Sequence, residues 1–234
     1  MALKLALFLL PGIMLFLSVP DNLKLSYKNN NILNEEVAEN DYMQIYKQLH
    51  DSELNFEGMK LALTGYEEIK EEYSNLNKNL LTIIDYSRPS TSKRLYVIDL
   101  AKNAIVYKTY VAHGKNSGLN HAESFSNHIQ SHKSSLGFYI TGSTYYGKHG
   151  YSLRLSGLEE EINDNAWKRA IVMHSASYVG EDFIQMNGRL GRSHGCPAIP
   201  IENHQYLIDL IKNNTCLFVY YPDNSYLSDS RYLK

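Results

Sequence analysis

The stretch GRLGRSHGCPAIP, residues 188–200, brings a cysteine, a histidine and three glycines together in one short segment. Cys196 directly follows His194 and Gly195, and a further histidine, His174, lies upstream in the run IVMHSAS. A thiol attacks a carbonyl well at neutral pH only when a base takes its proton. Imidazole is the usual base, because its pKa lies near neutrality. The glycines allow a tight backbone turn. The combination predicts a covalent active site built on Cys196.

The two cysteines of the chain have different surroundings. Cys216 lies in the apolar run TCLFVYY, which is typical of a small buried side chain in a strand. Cys196 has polar and glycine neighbours instead, and these argue against a core strand. Arg189 and Arg192 add positive charge nearby, which favours a thiolate over a thiol. We therefore assign the chemistry to Cys196 and a structural place to Cys216.

The Ser-His-Gly-Cys run, with its upstream His-Ser, resembles the signature of the L,D-transpeptidase catalytic domain of bacterial peptidoglycan enzymes. The resemblance extends from about Ser92 to Pro222, and residues 133–159 are similar to the substrate-groove segment of one branch of that family. It implies a mainly β, α+β fold, an L,D-transpeptidase-like β-sandwich with a small N-terminal helical segment. It also implies a cysteine-dependent enzyme that acts on peptidoglycan stem peptides through a thioester acyl-enzyme.

Two departures from the common family pattern mark a divergent branch. The upstream histidine lies a few residues further from the Ser-His-Gly-Cys run than is usual. The position two after the cysteine, where the family carries Asn or Arg, is Ala198. We expect Arg192 or Arg189 to take over the role of the missing polar side chain.

The resemblance implies a role for each residue of the motif. Cys196 is the nucleophile, and His174 is the general base, oriented by the backbone of Ser175. The backbone N–H groups of Gly195 and Cys196 hold the oxyanion. His194 is close in sequence to the cysteine, and near neighbours in an extended loop converge on one atom poorly. We therefore expect His194 to be a structural and electrostatic partner of the catalytic pair.

Further polar and aromatic residues are candidates for substrate binding. Two explanations of the segment 137–155 remain open: its side chains meet a substrate carboxylate and peptide, or they are the solvent-facing side chains of an ordinary hairpin. The complete set of predicted substrate-binding residues is Arg192, Ser193, Arg189, Lys148, His149, Tyr151 and Arg154.

The N-terminus carries one early lysine and then an apolar run that is short for a membrane span. It fits a secretory signal peptide, although the small-residue cleavage pattern is poor, so an uncleaved N-terminal membrane anchor is the alternative. Both alternatives predict secretion across the inner membrane to the periplasm or cell envelope. The chain divides into five predicted segments: signal peptide or anchor 1–20, polar linker 21–40, helical cap 41–78, catalytic domain 79–222 and a polar, loosely held tail 223–234.

Apolar spacing places the regular elements within these segments. Three- and four-residue spacing predicts one helix from Asp41 and another from about Asn55 to Tyr73. From Leu80 the pattern becomes β, with strands at 80–87, at 170–174, which delivers His174, and at 215–222. Two more strands flank a turn within 93–114, and 201–214 is predicted to be helical.

A histidine-rich segment raises the alternative of a zinc site. His128 and His132 are spaced to share a helix face, and His113 and His121 lie nearby in sequence. The residues between His128 and His132 include no glutamate, so this is not the arrangement of zinc proteases. We predict a polar loop over the substrate groove, with no metal and no cofactor.

Three classes of function therefore remain, of which the cysteine L,D-transpeptidase is preferred. The alternatives are a zinc-dependent peptidoglycan peptidase and a non-catalytic wall-binding domain on the same fold. A net charge of −2 gives no basic face for nucleic acid. The predicted partners are peptidoglycan stem peptides. The sequence leaves open the oligomeric state and the acceptor: a stem peptide, a lipoprotein or water.

Overall fold

The computed structural model describes residues 39–76 and 79–234, of which Tyr42–Lys234 form one compact unit. The predicted signal peptide or anchor and nearly all of the predicted linker lie outside the described residues. Among the helices that the structure does describe, none is long and apolar enough to span a bilayer.

Five α-helices, one short 3-10 helix (Asp164–Ala166) and eight strands are described. The helices are α1 (residues 39–49), α2 (Phe56–Glu72), α3 (Glu181–Asn187), α4 (His204–Ile211) and α5 (Asn224–Asp229). The strands are β1 (Leu80–Asp85), β2 (Leu95–Asp99), β3 (Ala104–Thr109), β4 (Gly137–Gly147), β5 (Gly150–Gly157), β6 (Val172–Ser175), β7 (Ala198–Ile199) and β8 (Cys216–Tyr220). The helices and strands predicted from apolar spacing are all present.

The eight strands form one sheet in the order β3-β2-β1-β8-β4-β5-β6-β7. The pairs β1–β8 and β6–β7 are parallel, and the other pairs are antiparallel. Strands β1 and β8 are buried along their whole length, which explains their continuous apolar sequences. Ala112, just after the edge strand β3, bridges to Ala198 on the opposite edge strand β7, so the sheet curls back on itself. The predicted mainly β, α+β class is confirmed.

Helix α2 packs its apolar face on the sheet. It begins after Asn55, whose side chain accepts a hydrogen bond from the Gly58 N–H and so caps the helix. Met59, Tyr66 and Ile69 are buried at helical spacing and belong to the same core cluster as β1 and β8. Cys216 on β8 is fully buried in this core, as its apolar run predicts.

The C-terminal tail is packed on the domain, and the prediction that it is loosely held is wrong. Tyr226 and Tyr232 are buried, and their rings contact Phe218 and Phe138 respectively. The buried carboxylate of Glu159 accepts hydrogen bonds from the Tyr226 hydroxyl and from Ser230 in the same tail. The polar composition of the tail gave no sign of its two buried tyrosines, or of the hydrogen bonds that Tyr226 and Ser230 donate to the buried Glu159.

We expect deletion of residues 223–234 to lower the free energy of unfolding by at least about 3 kcal/mol. Truncating even one buried aromatic costs about this much, and the deletion also leaves Glu159 without the donors of Tyr226 and Ser230. Urea unfolding followed by circular dichroism measures the change. Deletion of the exposed Lys234 alone is the control. An unchanged urea midpoint for the longer deletion would show that the tail is dispensable.

Candidate active site

The site is built where β6 and β7 run parallel. His174 on β6 pairs with Ala198 on β7, and Cys196 lies just before that strand. The Cys196 thiol lies 3.7 Å from the carbonyl oxygen of Ala170, at the approach to β6, and beside the Val172 N–H. Two segments that are distant in sequence therefore place a thiol and an imidazole on adjacent strands.

The loop that carries Cys196 is held by internal hydrogen bonds. The Ser193 hydroxyl donates to the Cys196 carbonyl oxygen at 2.6 Å and accepts from the Gly195 N–H at 3.0 Å. Ser193 is also tied to the neighbouring strand segment, because its N–H donates to the His113 carbonyl. Ser193 was predicted to bind substrate, but it is buried, and its hydroxyl supports the loop instead.

Gly195 gives the loop its bend. Its φ of 120° lies in the left-handed region that side chains rarely adopt. A Cβ at this position would stand 2.7 Å from the Lys133 carbonyl oxygen and 3.1 Å from the Arg169 guanidinium. The turn that presents Cys196 therefore requires glycine on both conformational and steric grounds.

Only one of the two predicted oxyanion donors is free in this conformation. The Gly195 N–H already donates to the Ser193 hydroxyl, so its predicted oxyanion role is not supported. The Cys196 N–H makes no hydrogen bond within the part of the chain that the structure describes. It remains the donor that could meet a developing oxyanion.

The environment of the thiol explains why it needs a base. Burial raises the pKa of Cys196, while the adjacent Val172 N–H and the positive charge of Arg169 lower it by less. The thiol is thus protonated at rest, and its reactivity depends on a proton acceptor and on positive charge nearby.

His174 is buried and held in one orientation. Its Nδ1 lies 2.9 Å from the Ser175 carbonyl oxygen, which assigns the proton to Nδ1 and leaves Nε2 as the basic atom. The pKa of His174 lies below its usual value, because of burial and then the charge of His149, while the Ser175 hydrogen bond opposes both. No hydrogen bond joins the described His174 ring to Cys196, whose sulfur contacts Ala170 instead.

The surroundings of His194 do not favour it as the general base. It is exposed, and its ring stacks on His132 with the centroids 4.3 Å apart. Desolvation and the neighbouring charges, first among them Lys115 and then including Lys148, lower the pKa of His194. The neighbouring positive charge disfavours the charged form of His194, and its predicted structural and electrostatic role stays a prediction.

Neither predicted replacement for the missing polar side chain acts on the thiol. Arg192 donates to the carbonyl oxygens of Lys115 and Gly118, at 2.9 and 3.0 Å, and so holds a neighbouring loop. Arg189 donates to the Leu190 carbonyl at 2.7 Å. The expectation that Arg192 or Arg189 compensates for Ala198 is therefore wrong, because both guanidinium groups are engaged by backbone oxygens elsewhere.

A cavity of about 220 Å³ adjoins the thiol. Arg154 lies in it between two aromatic rings, 4.4 Å from the Tyr145 centroid and 5.0 Å from the Trp167 centroid. Ala170 and Val172, which flank the Cys196 sulfur, also line this cavity. A larger cavity of about 530 Å³ lies between β3 and α3, and none of the predicted site residues lines it.

The β4–β5 hairpin reaches over the site. His149 stacks on His174 with the ring centroids 4.2 Å apart, and Lys148 beside it is exposed. Tyr151, in contrast, donates its hydroxyl to Asp209 of α4 at 2.6 Å. The hairpin thus brings His149 to β6 and ties Tyr151 to helix α4.

Arg169 lies beside the bend at Gly195 but was not among the predicted site residues. Its Nη1 donates to the Ser126 carbonyl at 2.7 Å, and its Nη2 donates to the Lys133 carbonyl, so it ties the 126–135 loop to the bend at Gly195. The residue lies in the short segment before β6, for which the sequence predicts only a helix or turn that leads into the strand. Its one signal was that it is the last cation before the strand that carries His174.

The four histidines of the histidine-rich segment lie in different surroundings. His113 is fully buried and lies 2.8 Å from the Arg94 guanidinium, and burial lowers its pKa to about 3. His132 stacks on His194, and His121 and His128 are exposed. Across residues 39–76 and 79–234, no group of three or more metal-binding side chains is arranged around one point.

The chain belongs to a family of cell-wall enzymes. The model of the L,D-transpeptidase catalytic domain matches residues 50–220, and the chain is a member of that family. No curated protein matches the chain.

Similar solved structures are themselves L,D-transpeptidases. The L,D-transpeptidase from Mycobacterium smegmatis is 13% identical, with a TM-score of 0.39 over 61% of this chain and 59% of that one. L,D-transpeptidase 3 from Mycobacterium tuberculosis is 11% identical, with a TM-score of 0.39 over 61% of each chain. The Enterococcus faecium L,D-transpeptidase is 11% identical, with a TM-score of 0.36 over 61% of this chain and 50% of that one. The match thus spans less than two thirds of these structures.

We expect Gly195→Ala to slow alkylation of Cys196 by iodoacetamide at least about tenfold. The added methyl group meets the Lys133 carbonyl, and the left-handed backbone costs a further 1–2 kcal/mol, about the usual penalty for an alanine there. Gly188→Ala is the matched control, since Gly188 also has a positive φ but has open space around it. Mass spectrometry follows the adduct. Equal alkylation rates in the two variants would contradict this account of the bend.

Proposed function

We propose that the chain is a cysteine-dependent L,D-transpeptidase that acts on peptidoglycan stem peptides through a thioester acyl-enzyme. Membership of the L,D-transpeptidase family supports the reaction class. The observation that carries the proposal is the position of the Cys196 thiol beside β6, the strand that presents a neutral, oriented His174.

The first half of the reaction transfers the donor peptide to sulfur. Nε2 of His174 accepts the thiol proton, and the thiolate of Cys196 attacks the carbonyl carbon that joins a diaminopimelate residue to the terminal D-amino acid. The Cys196 N–H donates to the oxyanion, and each such donor is worth roughly 3 kcal/mol in related chemistry. The C–N bond then breaks, and the protonated His174 returns the proton to the leaving amine.

The second half releases the thioester. An amine or a water molecule gives a proton to His174 and attacks the thioester carbon, and the C–S bond breaks. The thiolate takes the proton back from His174, so the enzyme returns to its starting state. An amine acceptor gives a cross-link, whereas water trims the peptide.

Positive charge at the mouth of the site suits an acyl-donor peptide that carries free carboxylates. Lys148 and His149 stand over the catalytic strands from the hairpin. Arg154 lines the cavity beside the thiol. Its guanidinium group makes only cation–π contacts among the described residues, so its N–H groups remain free to donate to a carboxylate. Stem peptides carry carboxylates at the C-terminus and on diaminopimelate.

A peptidoglycan substrate implies that the protein works at the cell envelope. We propose secretion across the inner membrane to the periplasm, with 1–20 as a signal peptide or membrane anchor and 21–40 as a linker. The division into a helical cap at 41–78 and a catalytic domain at 79–222 is part of the same proposal.

We expect Cys196→Ala to lower turnover of tetrapeptide muropeptides by at least about 10³-fold, since a lost nucleophile costs at least this much in related hydrolases. Mass spectrometry of the products measures the change. Cys216→Ala is the control and should retain activity, because Cys216 is buried in the core. Cross-linking or trimming by the Cys196→Ala protein would remove the proposed mechanism.

The alternatives predict different results in the same assay. A zinc peptidase would lose activity with a chelator and keep it after thiol alkylation, whereas the thiol enzyme would do the reverse. A carbapenem should acylate Cys196 and raise the protein mass, which a non-catalytic wall-binding domain would not show.

We expect His149→Ala to move the acid limb of kcat/KM to higher pH. That limb reports the pKa of the general base in the free enzyme. The pKa of His174 lies below its usual value, first because of burial and also because of the His149 charge. Removing the stacked ring both exposes His174 and removes the charge, and each change raises its pKa. His121→Ala, at an exposed histidine, is the control. A limb that stays or moves down would exclude His174 as the base.

A further inference from the structure

Arg169 is a half-buried cation whose contacts are all with neutral atoms. Its hydrogen bonds run to the carbonyl oxygens of Ser126 and Lys133 and to the hydroxyls of Ser131 and Ser135. Among the described residues no carboxylate forms an ion pair with it, and its Nε has no partner. A guanidinium removed from water in this way is costly unless an anion offsets its charge.

The anion that the geometry offers is the thiolate of Cys196. Nη2 of Arg169 lies 3.1 Å from the point where a Cβ of Gly195 would be, directly beside the residue that carries the sulfur. The same Nη2 donates to the Lys133 carbonyl, against which the bend at Gly195 packs. One side chain therefore both supports the bend and brings positive charge to it.

We infer that Arg169 is the positioning cation that stabilises the Cys196 thiolate, in place of the polar side chain that Ala198 lacks. The inference rests on the proposed function, because it assigns Arg169 to the same nucleophile. Arg169 need not touch the substrate: its field favours the ionised sulfur at the moment when His174 takes the proton.

The other titratable groups near the sulfur do not supply this charge. The phenols of Tyr86 and Tyr178 both act on it, but burial raises the pKa of both, to about 12 for Tyr178, so they stay neutral near pH 7. His174 is neutral at rest because burial lowers its pKa. Arg169 is the one charged side chain among the described residues whose field lowers the pKa of the Cys196 thiol.

The test measures the ionisation of Cys196 without any substrate. Iodoacetamide alkylation of the full chain is followed across a pH series, and peptide mass spectrometry assigns the adduct to Cys196. For Arg169→Gln we expect about a tenfold slower rate at pH 7, the lower end of the effect of removing one opposite charge. The midpoint of the pH profile should move up, and the rate at the alkaline plateau should be retained.

Lys168→Gln is the matched control, because it removes one exposed cation from the adjacent position. Its midpoint should equal that of the unchanged protein. An unchanged midpoint of the pH profile in Arg169→Gln overturns the inference. A reduced alkylation rate that persists at the alkaline plateau also overturns it, since that reduction would reflect access to Cys196 or folding. A raised KM for muropeptides with an unchanged midpoint would make Arg169 a substrate contact and would also overturn it.

A second pair of variants leaves Arg169 in place, in case its replacement prevents folding. Ser131 accepts a hydrogen bond from Nη2 of Arg169 at 3.3 Å, so Ser131→Asp would pair the guanidinium and neutralise its field. We expect the alkylation midpoint to rise in Ser131→Asp and not in the neutral Ser131→Asn. Equal midpoints would overturn the inference. Because alkylation needs no substrate, inactivity of the chain on muropeptides would count against the proposed function alone.

Discussion

The parallel pairing of β6 with β7 is the constraint on which the site depends. The register that sets His174 opposite Ala198 also brings Cys196 alongside the first residues of β6. Parallel neighbours need a long connection, and here that connection contains α3 and the loop that carries Cys196. On its other side β6 pairs with β5, so the hairpin of β4 and β5 reaches the same place and stacks His149 on His174.

Burial acts in opposite directions on the pKa values of Cys196 and His174, the proposed catalytic pair. It raises the pKa of the Cys196 thiol and lowers that of His174, so both are neutral at rest. Proton transfer between them creates a thiolate and an imidazolium in a partly dry site, which costs free energy unless fixed charges and dipoles are already in place. In the mechanism that we propose, the Val172 N–H, the Arg169 guanidinium and the Ser175 carbonyl, which already act on the two groups, lower that cost without rearrangement.

Much of the fold was readable from the sequence because it follows local patterns. The extent of α2, the strand that delivers His174 and the buried run around Cys216 all follow from residue spacing. The packed tail was not readable, since it depends on Glu159, which is far away in sequence. Ser193 was misassigned for a related reason: its hydroxyl is polar, but its partners are backbone groups that only the folded loop brings close.

The absence of a polar side chain two positions after Cys196 has a structural cause. Ala198 is fully buried, and its backbone is bonded to that of Ala112, where the two edges of the curled sheet meet. It packs with Val179 and Leu190 in a small apolar cluster, where the Asn or Arg of the common family pattern would be desolvated without a partner. Closing the sheet at this point therefore leaves no room for a polar group at this position of β7. This is why we place the positive charge outside β7 and propose Arg169, on the turn that leads into β6, as its source.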